Sequence, residues 1–294
     1  MHYRNVGDMQ YYIARAQRRL GHQSYVIGAK KALNPRNFHY DHLIDKNIQT
    51  VGRILTSFDA YHFYFGDFLP GATECFFLRM MRRSVFHHYC GSEAMAKKLP
   101  PLHRLSDARF VHSPQLLSFV PDAYFVPIAI DLTIWRPSPR IREENSSREI
   151  TILHGPSDIY VKGSKSVIKA VKRLKSEGYT IRLIQPRNVR HRDMISLFNQ
   201  ADIVVDQLLL GWYGAFSVEA MAMEKPVCVY VREEWESYLP STPYLNSNVK
   251  NITENLRTLV EDEALRRDLG VEGREFCKKF HDSMRVTKQI MKFY

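Results

Sequence analysis

The sequence predicts an α/β protein built from two doubly wound domains, each a parallel sheet flanked by helices. Three observations carry this. Short β-branched or aromatic runs alternate with amphipathic stretches at the spacing of βαβ units. The chain has 294 residues, long for one domain and comfortable for two. Residues 136–148, RPSPRIREENSSR, are polar, charged and proline-bearing, the composition of a linker. The expected domains are therefore 1–135 and 149–294.

In the first domain, residues 5–27 read as a glycine loop, a helix and a strand. Ile13, Ala16, Gln17 and Leu20 share one helical face, with Arg15, Arg18 and Arg19 around the other. Gly21 suits the left-handed residue that ends a helix. Residues 58–65, FDAYHFYF, form a strand followed by Gly66. Residues 84–89, SVFHHY, form another, followed by Cys90, Gly91 and Ser92. The helix between them, TECFFLRMMRRS, is expected to turn Phe76, Phe77, Met80 and Met81 to the core. Short late strands precede Pro114 and Pro127.

The second domain opens with a strand at 149–154. Lys162 and Gly163 then lead into a helix whose stripe is Val167, Ile168, Val171 and Leu174, ended by Gly178. A strand at 180–185 and a helix at 193–199 follow. Residues 201–231, ADIVVDQLLLGWYGAFSVEAMAMEKPVCVYV, read as strand, glycine loop, helix, strand. Ser217 is expected to cap a helix beginning near Val218, with Glu219 in its first turn. Such a corner aims amide N–H groups and a positive dipole end at one spot, which suits an anionic ligand. The same corner also occurs in α/β proteins that bind nothing. Residues 252–294 read as two amphipathic helices around Gly270 and Gly273.

The net charge is +11. That suits nucleic acid, an anionic membrane face or a phosphorylated small molecule. No nucleic-acid module is recognisable, and no run of about 18 apolar residues offers a transmembrane helix. The start of the chain lacks the apolar segment of a secretory signal. Cys75, Cys90, Cys228 and Cys277 lack C-x-x-C spacing and read as reduced thiols, which favours the cytoplasm. No Walker loop, G-x-G-x-x-G or zinc-type His/Cys spacing is present.

Two stretches carry a resemblance. DIVVDQLLLGWYGAFSVEAMAMEKPV and HGPSDIYVKG, the latter at 154–163, resemble the nucleotide-sugar half of GT-B glycosyltransferases, in particular the large retaining family called GT4. FVPIAIDLTIW is similar to the end of that family's first domain. The resemblance implies two Rossmann-like domains facing across a cleft, with the last helix crossing back to the first. The N-terminal domain would take the acceptor and the C-terminal one the nucleotide-diphosphate sugar. It also implies roles. Lys162 and Gly163 would hold the diphosphate together with the loop Gly214, Ala215, Phe216 and Ser217, and Glu219 would bond the ribose hydroxyls. Ser157, Arg187, Gly91 and Ser92 join the donor-binding set. His88 and Lys162 are the residues expected to take part in the chemistry.

The sequence departs from the family in four places. Gly155, Pro156 and Ser157 stand where an Arg usually precedes the lysine, so a phosphate-binding charge is missing or comes from elsewhere, such as Arg187. Gly211 stands where the first of two paired glutamates is found. Cys90 occupies the place of a histidine before the glycine, with His88 two residues earlier. Only residues 1–4 precede the first loop. Asp206, at a strand end, is open between a site role and a turn role.

The expected function is transfer of a sugar from a nucleotide-diphosphate sugar to an acceptor hydroxyl, on a glycan or a lipid-linked acceptor, with retention. No metal or other cofactor is expected. A peripheral contact with anionic membrane fits the charge, nucleic acid does not, and the setting would be the cytoplasm or its membrane face. Two alternatives stay open: a sugar-nucleotide epimerase of the same fold, and a degenerate sugar-nucleotide-binding protein without catalysis.

Overall fold

The computed structural model describes residues 1–4, 8–29, 38–45, 47–64, 67–91, 99–138 and 149–294. Ser92, residues 5–7 and 65–66, and linker residues 139–148 lie outside these. The chain forms two compact units, Met1–Ala129 with Ser283–Tyr294, and Ile130–Asp282.

The first unit holds β1 (His2–Tyr3), α1 (Met9–Arg19), β2 (Val26–Ala29), β3 (His42–Ile44), α2 (Ile48–Ser57), β4 (Ala60–Tyr64), α3 (Thr73–Met80), β5 (Ser84–Tyr89), β6 (Ala108–Val111) and β7 (Tyr124–Phe125). Its sheet runs in the order β3-β2-β1-β4-β5-β6-β7. Each ladder is parallel. Helix α1 buries Tyr12, Ile13, Ala16 and Gln17. The Gln17 carbonyl oxygen accepts from the Ser24 hydroxyl at 2.6 Å and from His2 Nε2 at 2.8 Å, which satisfies that oxygen inside the unit. Gly21, at φ 91°, closes the helix.

Helix α3 corrects the sequence reading. Phe76, Phe77, Met80 and Met81 face solvent, with Phe76 51% and Met80 68% exposed, while Glu74, Cys75 and Leu78 point inward. The rotation is set at the helix start. The buried Glu74 carboxylate accepts from the amides of Phe68 and Leu69, and this polar anchor turns the helix away from the face its hydrophobicity would choose.

The second unit holds β8 (Ile150–Leu153), α4 (Ser164–Ser176), β9 (Ile181–Ile184), α5 (Met194–Gln200), β10 (Ile203–Val205), α6 (Ala215–Ala222), β11 (Val227–Val229), α7 (Glu233–Glu236), β12 (Leu245–Asn246), α8 (Ile252–Glu261) and α9 (Glu263–Phe276). Its parallel sheet runs β12-β11-β10-β8-β9. The order reverses between β8 and β10. At such a switch point the loops leaving two neighbouring strands part to opposite faces and open a crevice at the carboxyl ends. Val167, Ala170, Val171 and Leu174 of α4 and Ile252, Leu256 and Leu259 of α8 belong to one core with the strands.

Gly270 and Gly273 do not separate two helices; both lie inside α9. A Cβ on Gly270 would sit 2.4 Å from the Glu224 carbonyl oxygen, and one on Gly273 3.2 Å from Met221 Cβ. Glycine here permits close approach of α9 to the end of α6. The chain returns to the first unit as α10 (Ser283–Ile290), which packs on α1. No helix among the described residues is long and apolar enough to cross a membrane.

Candidate functional site

The carboxyl ends of β8 and β10 flank the switch point of the second unit, and the loops that leave them meet on one carboxylate. Asp206 follows β10 directly. It is buried at 2% exposure, and its Oδ1 accepts from Lys162 Nζ at 2.6 Å. Its Oδ2 accepts from the Ser217 hydroxyl at 2.8 Å and from the Gly214 amide at 3.2 Å. Burial pushes the Asp206 pKa up, but the neighbouring ammonium and these hydrogen bonds outweigh it and hold the carboxyl below its ordinary value. Asp206 is thus an anion that ties the loop after β8 to the first turn of α6.

Each arm of this arrangement is built locally. Gly163 takes the left-handed conformation at φ 74° that starts α4, and its site allows little more, since a Cβ would stand 3.1 Å from Leu208 Cβ. The Leu208 amide donates to the Lys162 carbonyl at 3.2 Å, so the two loops are also joined through backbone. Beneath them, buried His154 donates from Nδ1 to the Val205 carbonyl at 2.9 Å. Its Nε2 accepts from the Ser164 hydroxyl at 2.7 Å. Burial lowers the His154 pKa, which keeps the ring neutral for this bridge. Gln207 fixes the loop after β10. Its amide nitrogen donates to the carbonyls of Trp212 and Tyr230, and its oxygen accepts from the amides of Leu209 and Leu210.

The helix start differs from expectation. Helix α6 begins at Ala215, with Gly214 as its capping residue. Ser217 lies within the first turn, and its hydroxyl donates to Asp206 instead of accepting from helix amides. An anionic side chain was within reach, and a charge-assisted hydrogen bond is the stronger choice. Two residues later, and past the first turn in which it was expected, Glu219 is buried and its Oε1 accepts from His191 Nε2 at 2.7 Å. His191 packs against the buried Trp135 ring, 5.2 Å between centroids.

The structure therefore brings Lys162, Gly163, Gly214 and Ser217 around Asp206, with Ala215 and Phe216 opening the same helix. Lys162 Nζ lies close enough to the turn that a Cβ on Gly214 would stand 3.7 Å from it. Phe216 covers Gly155, where a Cβ would meet its ring at 2.8 Å. Gly211 is left-handed at φ 81° and lies against the Arg232 side chain. Ser157 and Arg187 are exposed on the loops after β8 and β9. His88 and Gly91 belong to the first unit. His88 is 1% exposed.

No protein-family model matches the chain, and no curated protein matches it in sequence. Solved structures do. An α-glucosyltransferase in complex with UDP and a mismatched 13-mer DNA aligns at TM-score 0.72 and 10% identity, over 99% of this chain and 98% of that one. Sucrose-phosphate synthase from Thermosynechococcus elongatus aligns at 0.65 and 15% identity, over 100% and 97%. A Listeria monocytogenes protein provisionally named a UDP-N-acetylglucosamine 2-epimerase aligns at 0.60 and 10% identity, over 99% and 94%.

The fold is GT-B. Likeness at these identities establishes the two Rossmann-like domains and nothing finer. In this GT-B chain Asp206 stands at the centre of the cluster, where the sequence leaves it open between a site and a turn role, and the sequence does not single out His191. The signal for Asp206 was its position, the first residue after a buried parallel strand. Nothing in the sequence pairs His191 with Glu219, 28 residues on.

Proposed function

We propose that the chain is a glycosyltransferase that moves a sugar from a nucleotide-diphosphate sugar to an acceptor hydroxyl. The observation that carries this reading is the Lys162–Asp206–Gly214/Ser217 cluster at the switch point of the second unit. Asp206 engages one of the three ammonium donors of Lys162 and leaves the others to a donor diphosphate. The first turn of α6 adds backbone amides that have no partner inside the helix. In the reaction the sugar–phosphate bond breaks as charge grows on the diphosphate. Lys162 and those amides stabilise that charge without a metal. Glu219, oriented by His191, takes the ribose hydroxyls. Retention at the anomeric carbon follows the GT4 resemblance, as does a glycan or lipid-linked acceptor. The basic balance of the chain favours an acceptor at an anionic membrane face.

The test is a thermal-shift screen of the purified chain against UDP-, GDP- and ADP-sugars, followed by product analysis with the best donor. Stabilisation by one donor and release of its nucleoside diphosphate would support the reading. Lys162→Ala with unchanged donor binding and turnover would overturn it. The GT-B epimerase likeness favours one second reading, acting on the free nucleotide sugar. An epimerised nucleotide sugar without release of diphosphate would select it. Donor binding without turnover would select the non-catalytic alternative.

A further inference from the structure

The first unit holds a histidine that the fold leaves chemically unexplained. His88 is buried at 1% exposure, and neither ring nitrogen has a hydrogen-bond partner among the described residues. A buried imidazole without partners is costly, since both its donor and its acceptor have given up water. The rings around it are Tyr64, His62 and Phe110, at 5.1, 5.7 and 5.9 Å between centroids. Two other ligand-type side chains converge on it. Cys90 lies two residues further on, just past the end of β5, where the alternation of the extended chain returns it to the same face. His112 stands beside Cys90, because the parallel pairing of β5 with β6 sets Tyr89 against Val111 one step earlier. The ligand atoms of His88, Cys90 and His112 all lie within 4.8 Å of one another. His112 Nδ1 donates to the Tyr89 carbonyl at 3.3 Å, which fixes the tautomer that presents Nε2 as a ligand.

A second cluster in this unit serves as a contrast. Asp67 Oδ1 accepts from His87 Nε2 at 3.2 Å and His103 Nε2 at 3.0 Å. The Nδ1 atoms of those rings face the hydroxyls of Ser106 and Tyr89 at 2.7 and 2.9 Å. That network satisfies itself, whereas the His88 ring has no partner among the described residues.

We propose that His88, Cys90 and His112 bind a zinc ion through two imidazoles and one thiolate, with water in the fourth position. A soft sulfur ligand with two nitrogens and no carboxylate selects zinc over calcium or magnesium. Zinc binding requires these ligand atoms, within 4.8 Å of one another, to close on the ion at a Zn–N distance of about 2.0–2.1 Å and Zn–S of about 2.3 Å. Binding releases the thiol proton as the Cys90 sulfur–zinc bond forms, so affinity rises with pH. The ion gives the buried His88 ring the partner it lacks.

The test uses the full chain with zinc and cobalt. Expected are one zinc retained per chain after gel filtration, and a thiolate-to-metal charge-transfer band with cobalt. That band disappears in Cys90→Ser and persists in Cys75→Ser, the control for the thiol 4.0 Å from His87. Zinc raises the melting temperature of the wild type and of Cys75→Ser, but not of Cys90→Ser. X-ray absorption on the wild-type zinc complex needs no variant and should report one sulfur and two imidazole nitrogens. Failure to retain zinc, a sulfur-free shell, or a band that survives Cys90→Ser would each overturn the proposal. These readouts are independent of donor binding in the second unit.

Discussion

The Lys162 ammonium and the Asp206 carboxylate meet at 2.6 Å across the point where the strand order of the second sheet reverses. Neither residue sits on the strand core. Each is held by its loop, and the second oxygen of Asp206 reaches a third segment, the start of α6. One buried carboxylate thus sets the spacing of two loops and a helix start.

Asp206→Ala removes the partner of a largely buried cation and the acceptor of Ser217. Breaking a buried ion pair from one side costs about 3–5 kcal/mol. The double variant Lys162→Met/Asp206→Ala should lose less than the sum of Lys162→Met and Asp206→Ala alone. Urea unfolding of all four proteins measures this, and strict additivity would show the pair to be energetically uncoupled.

Glu219→Gln keeps the shape of the side chain and removes the charge-assisted bond to His191. Donor affinity, read by calorimetric titration with the best nucleotide sugar, should fall by about 1–3 kcal/mol. His191→Phe should weaken the same affinity by a smaller factor, because it loosens Glu219 without removing it. A His191 variant with donor affinity equal to the wild type would show that the histidine orients nothing the donor uses.

Gly270→Ala places a methyl group against the Glu224 carbonyl, which is backbone and cannot swing aside. A loss of about 1–3 kcal/mol is expected from overpacking. Gly273→Ala should cost less, since its contacts are nearer to ordinary van der Waals distance. Thermal melts that rank Gly273→Ala as the worse variant would contradict the packing of α9 on α6.

Phe76→Ser and Phe77→Ser should each change stability by less than about 0.5 kcal/mol, as surface substitutions do. Leu78→Ala, one residue further along the same helix, should cost about 2–5 kcal/mol. If a Phe76 or Phe77 variant matches Leu78→Ala in chemical denaturation, α3 is rotated relative to the structure.

Burial drives the His2 pKa down to about 3, against 6.5 for an ordinary imidazole. The unfolded chain therefore takes up a proton between these values and the folded chain does not. The stabilisation is complete above pH 6.5 and declines as pH falls toward about 3. The slope from this residue is about 1.4 kcal/mol per pH unit within that window. Unfolding free energies at pH 7, 6, 5 and 4.5 should be less steep in His2→Phe than in the wild type by about that amount. Parallel profiles would mean that His2 is not held neutral.

The strands and the glycine loops were legible because their signals are local. The β-branched run at 203–205 and the left-handed glycines 163 and 178 announce themselves within a few residues. Lys162 and the loop at 214–217 could be named from sequence, but Asp206, which joins them, could not be ranked, since a strand-end carboxylate looks alike in a turn and in a site. Helix α3 was misjudged because hydrophobic periodicity was outvoted by one buried glutamate. The partnership of His191 with Glu219 and that of His88 with His112 depend on strand order, which no short stretch of sequence encodes.

The return of α10 to pack on α1 has a consequence for synthesis. The second unit is one continuous segment, whereas the first is assembled from two pieces separated by the whole of it. On a ribosome the strands of the first unit must wait for residues 283–294 before that wall of the unit exists. Folding of the interposed segment shortens the effective tether between the two pieces and lowers the entropy of bringing them together. A chain cut before Ser283 would therefore damage the unit that is otherwise made of residues 1–129.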